Sequence, residues 1–314
     1  MPPEPMDPAS IAPELRERAR KLPVLPIGSA PGRWFTRFAL RLMPRGKAEG
    51  VTLEQVRERG LRVRVYRPGA PRSAGALLWV HGGGYVVGRA ASNDGFCSGL
   101  ARTLGILVVS VDYRLAPEHP FPAASDDCLA AWHWLQREAQ GLGVDPARVV
   151  IGGQSAGGGL AAGLAQRIRD AGGTQPRGQW LFCPMLDDRT AARTELDAIG
   201  HPLWNNRANR AGWRSYLGRD PGLGEPVPYA VPARCDRLDG LPPSWVGVGD
   251  IDLFHDEDRA YALRLQAAGV ETVLDVVSGA PHGFESWAEA SEIAQLYLGR
   301  ARAWLASALD RPAA

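Results

Sequence analysis

Lysine is nearly missing from this chain: of its 36 basic residues, only positions 21 and 47 are lysine and the rest are arginine. Acidic residues number 34, so the net charge is only +2. That balance excludes the strong basic excess of a nucleic-acid binder. Cysteine is sparse, at positions 97, 128, 183 and 235, with no CxxC pair. The pattern excludes a zinc knuckle or a disulfide-stapled fold and predicts reduced, mostly buried thiols. Long apolar runs are lacking as well. Stretches such as "ALLWV" and "ILVVSV" fall far short of the roughly 20 residues of a membrane span. The opening 22 residues are proline-rich and then charged, without the apolar core of a secretion leader, so a cytoplasmic location is expected.

What is present alternates. "LRVRVYRP" (61–68) has the in–out rhythm of a half-buried strand. Five continuous apolar runs (75–82, 106–113, 148–154, 179–186 and 244–250) suit buried central strands, and 272–279 is a further candidate. Helical patterns at 123–139, 157–173 and 256–269 lie between them. Strand–helix alternation predicts an α/β fold, a mostly parallel central sheet flanked by helices. The 314 residues read as one catalytic domain. Two stretches stand outside the rhythm: residues 1–45, before the sheet, and residues 187–222, after the "FCPML" strand. Both carry large aromatics: Trp34, Phe35 and Phe38 in one, Trp204, Trp213 and Tyr216 in the other. They are expected to pack together as a helical cap over the C-terminal edge of the sheet, where α/β ligand sites lie. On that reading, removal of residues 1–30 would affect catalysis more than stability.

The stretch "GGQSAGGG" (152–159) surrounds one serine with residues that have almost no side chain. Ser155 follows the run "VVIG" and precedes a helical pattern, and Gly153 to Gly157 match G-x-S-x-G. A strand-to-helix turn of that kind exposes a nucleophilic hydroxyl and requires small neighbours on steric grounds. Two rival glycine readings fail. Gly157-x-Gly159-x-x-Ala162 starts inside the helix, with no acid about 20 residues on at a strand end, and a P-loop needs a lysine that is lacking here. "HGGGYVVG" (81–88) follows another strand. Acyl transfer builds charge on a carbonyl oxygen, and the amides of Gly83, Gly84 and Ala156 are candidates for its oxyanion hole.

A serine nucleophile needs a base and the base an orienting acid. His282, in "SGAPHGF" after the last predicted strand, is the candidate base. His119 and His133 read as structural, and His201 lies in the irregular insert. His255 with Asp252 and Asp256 suggests a metal site that nothing else completes. Asp256 reads as a helix cap. Asp250 and Asp252 share parity along the chain, so periodicity leaves both open as the acid.

Taken together, "HGGGYVVG", "VDYRLAPEHPFPAA", "DPARVVIGGQSAGGGLAA", "CPMLDDRT", "DLFHDEDRAYALRLQAAGV" and "PHGFE" resemble the bacterial branch of the hormone-sensitive-lipase-like carboxylesterases, in the family's order from about residue 75 to 285. The resemblance implies an α/β-hydrolase fold with a helical cap. It further implies hydrolysis of short- to medium-chain carboxylic esters through an acyl-enzyme, with no cofactor and no metal. It selects Asp252 over Asp250 beside Ser155 and His282, and it makes Arg114 and Glu118, in "YRLAPEHP", structural. Tyr85, Trp204, Trp213 and Phe284 are expected to line the substrate pocket. Gln154 and Tyr85 depart from the family pattern, where an acid or threonine and a phenylalanine or tryptophan are more usual. Hydrolysis of an amide, lactone or carbamate is the nearest alternative. A non-catalytic small-ligand receptor on the same fold is the more distant one. The expected partner is a small-molecule ester, and a homodimer is left open.

Overall fold

A computed structural model describes residues 4–43 and 46–311. Eight strands form one sheet: β1 (Val51–Glu58), β2 (Leu61–Pro68), β3 (Ala76–Val80), β4 (Leu107–Val111), β5 (Val149–Gln154), β6 (Gly178–Phe182), β7 (Ser244–Gly249) and β8 (Thr272–Val277). Their spatial order is β8-β7-β6-β5-β3-β4-β2-β1. The β1–β2 hairpin and the β2–β4 pair are antiparallel; every other pairing in this sheet is parallel. The continuous apolar runs became the interior strands: β3 to β7, apart from polar Ser110, Gln154, Gln179 and Ser244, are built of apolar and small residues and are almost wholly buried. Such strands are buried because helices cover both faces.

One apolar core lies under α4 (Ala123–Leu142), α5 (Ala156–Ala171) and α8 (His255–Ala267), through Trp132, Leu135, Leu160 and Leu265. The other lies under α3 (Asp94–Leu104), the one-turn α9 (Phe284–Trp287) and α10 (Glu292–Asp310), through Leu100, Phe284, Tyr297 and Leu305, with Trp79, Trp180, Phe182 and Trp245 of the sheet in ring contact. The register pairs Val80 with Gly153, so β3 and β5 end side by side. Loops leaving those two strands must therefore share one small region at the sheet's C-terminal edge.

The segments outside the alternation fold as α1 (Pro13–Arg20) and α2 (Ala30–Leu42), then α6 (Asp188–Ala192) and α7 (Asn206–Leu217). They meet through a short parallel bridge, Glu4 with Ile199 and Pro5 with Gly200. Residues 1–3 and 44–45 of the expected cap lie outside the described residues. The expected aromatic contact is not what joins the segments. Trp204, Trp213 and Tyr216 are buried, whereas Trp34, Phe35 and Phe38 remain 67%, 61% and 45% exposed. The reason is charge. Arg37 turns α2's polar side inward, where its guanidinium donates to the carbonyls of Val86 and Ala116 (2.8 Å each) and to both oxygens of Glu118 (2.9 and 2.8 Å). Glu118 thus adds a half-exposed ion pair to the attachment of α2, and Arg114 pairs with Asp127 of α4 at 2.8 Å, so both residues act structurally.

The first segment also contributes to the core. Ile11 and Leu15 are buried in the α10-side core, and Glu14 accepts from the first amides of α10, those of Glu292 and Ile293. All four cysteines are free, three of them buried.

Crowding at the C-terminal edge gives a direct test. A Cβ on Gly157 would lie 2.1 Å from the Val80 carbonyl oxygen, which cannot yield without moving β3, whereas Gly141 on α4 has nothing within 4 Å. Gly157→Ala is expected to cost about 3 kcal/mol and Gly141→Ala to be neutral or stabilising. Urea unfolding of the two variants checks this.

Candidate active site

Ser155 sits at the turn from β5 to α5 with φ 55° and ψ −123°, a conformation that costs a non-glycine residue energy. Three backbone hydrogen bonds hold it there. Its N–H donates to the Phe182 carbonyl at 2.8 Å, and its own carbonyl accepts from Gly159 and Met185 at 3.0 Å each. Side chains are excluded on both flanks. A Cβ on Gly153 would lie 2.3 Å from the Gly157 oxygen, and one on Gly159 would lie 2.2 Å from the Met185 oxygen.

His282 stands in the loop after β8, buried, with Nε2 3.0 Å from the Ser155 hydroxyl oxygen. Its Nδ1 lies 3.1 and 2.9 Å from the two carboxylate oxygens of Asp252. The ring is held at its edge by Phe254, 5.1 Å between centroids, and its backbone carbonyl accepts from the Trp287 indole at 2.9 Å. Asp252 is itself fixed by the Phe254 N–H at 2.9 Å. The structure thus joins Ser155, His282 and Asp252 in one hydrogen-bonded chain. Asp250, two residues earlier, points elsewhere: it accepts from the Gly279 N–H at 2.6 Å and the Ser278 hydroxyl at 2.9 Å, bracing the loop that carries His282.

The glycine loop after β3 folds back beside Ser155. The Gly83 carbonyl accepts from Val86 and Val87, and among the described residues the N–H groups of Gly83 and Gly84 have no acceptor. Gly84, at φ +56°, lies against the Trp204 indole, which a Cβ would meet at 2.0 Å. Ala156 is fully buried at the first position of α5. The serine, histidine, Gly83 and Gly84 all line a cleft of about 210 Å³.

Of the four expected pocket residues, the cleft wall includes Trp204 only. Tyr85 stacks on Tyr216 at 3.9 Å, its hydroxyl donating to the Met185 carbonyl at 3.1 Å, so it packs behind the wall. Trp213 lies beside it, 5.3 Å away. Phe284 packs on Tyr297, 5.0 Å away, in the α10-side core. These three are corrections to the sequence reading: a large aromatic near a catalytic motif has the same signature whether it faces a cavity or the core. Leu25 and Leu40 of the first segment and Leu203 of the second complete the apolar wall with Trp204. Nothing in their spacing distinguishes them from ordinary leucines.

Glu285 is the ionisable neighbour that sequence reasoning missed. It is buried, and burial holds its carboxyl above the usual range although Gln154 donates to it. Gln154 also donates to the Ser286 hydroxyl at 2.7 Å. The departure at position 154 therefore has a physical reason, since an acid there would face Glu285 with a second negative charge. For His282, burial opposes the charged form, but the Asp252 charge and hydrogen bond, with Glu285 behind them, leave the imidazole above its ordinary value. A thiol is close as well. The Cys183 sulfur, an Asp252 oxygen and a His282 nitrogen fall within 4.8 Å of one another. Burial pushes that thiol well up, so it stays protonated and is a poor metal ligand.

Gln154→Glu is expected to lose about 1–3 kcal/mol at neutral pH, because two adjacent carboxylates then share one partly buried site. The cost should shrink as pH falls and one of them protonates. Urea midpoints at pH 7.5 and pH 5 check both magnitude and sign.

Comparison with known proteins places this geometry. A family model of the alpha/beta hydrolase fold matches residues 77–286. Esterase LipI of Mycobacterium tuberculosis is 37% identical over 228 residues, 72% of this chain and 71% of LipI. Carboxylic ester hydrolase LipN of the same organism is 36% identical over 226 residues, and the matched part spans 70% of this chain and 60% of LipN. Among solved structures, a bacterial heroin esterase superposes with a TM-score of 0.88 at 34% identity, covering 98% of this chain and 100% of that one. The chain belongs to the alpha/beta hydrolase family, among the hormone-sensitive-lipase-like bacterial carboxylesterases, and is a carboxylic ester hydrolase.

Proposed function

We propose that the protein hydrolyses short- to medium-chain carboxylic esters by a Ser-His-Asp acyl-enzyme mechanism. The observation that carries this reading is the buried imidazole of His282, held between the Ser155 hydroxyl at 3.0 Å and the Asp252 carboxylate at 2.9 Å. His282 Nε2 takes the hydroxyl proton as the Ser155 oxygen forms a bond to the ester carbonyl carbon. Asp252 holds the proton on Nδ1 and stabilises the imidazolium. The charge that develops on the carbonyl oxygen is met by the amides of Gly83, Gly84 and Ala156, each donor contributing about 3 kcal/mol. Collapse breaks the bond to the alcohol, which leaves with the proton from His282. Water then repeats the sequence on the acyl-serine and releases the acid.

Residues 1–45 and 187–222 act as the cap over this site. Support comes from the cleft wall, where Leu25 and Leu40 of one stretch stand with Leu203 and Trp204 of the other. A cleft so bounded accepts acyl chains of about two to eight carbons. Each further methylene gains roughly 0.8 kcal/mol only while apolar wall remains to receive it. Rates on p-nitrophenyl esters should therefore peak within that range, and a rate still climbing at sixteen carbons would defeat the cap assignment.

Ser155→Ala is expected to lower kcat by about 10⁶ and Asp252→Asn by about 10⁴. Asp250→Asn should cost only about tenfold, in line with one weakened hydrogen bond. Because His282 must be neutral to accept the proton, the raised imidazole value places the ascending limb of kcat/KM above the ordinary histidine value of about 6.5. Glu285→Gln removes one of the charges that favours the imidazolium, so that limb should move to lower pH while the rate on the plateau changes little. A pH profile of the two enzymes, in which an unmoved or rising limb would count against the assignment, decides the point.

A further inference from the structure

The helix that lends Leu40 to the cleft turns an unpartnered apolar side outward. Six of the twelve large hydrophobic residues exposed in the described structure fall between residues 24 and 43. On α2, Trp34, Phe38 and Leu42 follow one another at i, i+4 and i+8, with Phe35 beside them, and the rings of Trp34 and Phe38 stack at 5.5 Å. A continuous exposed stripe of this kind marks a contact surface.

The charge around the stripe says what it contacts. Between residues 18 and 48 the sequence has eight basic residues and no aspartate or glutamate. Next to α2, a groove of about 1070 Å³ is lined by seven arginines against three acids. It shares Leu40, Gly88 and Arg89 with the catalytic cleft. Arg41, three residues after Phe38, stands where this groove meets the stripe, and among the described residues neither Arg41 nor Arg57 has a carboxylate partner. A second copy presenting the same face would bring like charges together, which disfavours self-association through it. A helix with tryptophan and phenylalanine on one side and arginine at its flank suits the boundary of an anionic bilayer. The rings enter the headgroup layer there and the guanidinium groups meet phosphate.

We propose that the outer face of α2 docks this protein on anionic lipid surfaces, using Trp34, Phe35 and Phe38 as the inserted side chains and the surrounding arginines as the electrostatic contact. The inner side of the same helix lines the catalytic cleft, so docking places the cap of the enzyme at the lipid boundary. The proposal concerns binding and does not depend on the ester-hydrolase mechanism.

The test is co-sedimentation of the full chain with phosphatidylglycerol vesicles and with phosphatidylcholine vesicles. Partitioning to the anionic vesicles should exceed that to the neutral ones by about tenfold and be lost near 1 M salt, where the screening length falls to about 3 Å. Replacing Trp34, Phe35 and Phe38 together by serine should reduce binding by about tenfold while hydrolysis of a water-soluble ester stays within about twofold, which shows the fold intact. Arg41→Glu should weaken anionic binding alone. Equal partitioning to both vesicle types, or none, would overturn the proposal. So would a concentration-dependent dimer in sedimentation velocity that the triple variant abolishes, since the stripe would then belong to a second copy.

Discussion

Everything at the site depends on how closely three backbone segments approach one another at the end of β5. The Val80 carbonyl oxygen, the Ser155 turn and the first residues of α5 are packed so tightly that a single methyl on Gly157 would fall 2.1 Å from backbone. Because the chain there is immovable, Ser155 is kept at φ 55° by its neighbours rather than by its own preference. Energy stored in that turn is balanced by the buried sheet on both sides, which is why the strain stands next to the most apolar strands of the molecule.

From that fixed point the remaining groups are set by register. Val80 opposite Gly153 brings the glycine loop beside the serine, and the β7 and β8 ends bring the Asp252 and His282 loops to its other side. Asp250 contributes by bracing the His282 loop through Gly279, and Phe254 and Trp287 fix the ring and its backbone. His282, Asp252 and Glu285 are thereby all buried, where Coulomb interactions are less screened than in water. The balance between burial and the negative charges of Asp252 and Glu285 decides the imidazole's affinity for its proton. Gln154 belongs to the same balance, since an amide tolerates a carboxylate neighbour that another acid would repel.

Much of this was legible in the residues themselves. The continuous apolar runs marked β3 to β7, and the glycine clusters marked the two turns that steric crowding demands. Strand β1 was not legible, because "VTLEQVRE" is an exposed edge whose polar side chains carry no burial signal. Helix α3 also escaped, since small and polar residues dilute its apolar face, and α10 lies beyond the last motif. The choice between Asp250 and Asp252 could not come from periodicity, as two positions of one parity look alike along the chain. The resemblance to the carboxylesterases favoured Asp252, and the fold places it on His282.

The sequence by itself determined the alternation of strand and helix, the serine turn, the glycine loop and the histidine after the last strand. Each of these rests on local sterics or on hydrophobic period, which are written in neighbouring residues. Only the tertiary structure decided which aromatics face the cleft and which face the core, that Trp34, Phe35 and Phe38 point to solvent, and that Glu285 stands behind the imidazole. Those are questions of direction and long-range proximity. α2 is held in its direction in part by Arg37, which reaches the carbonyls of Val86 and Ala116 and the carboxylate of Glu118, 49 to 81 residues away, and no short window of sequence contains both ends of these contacts.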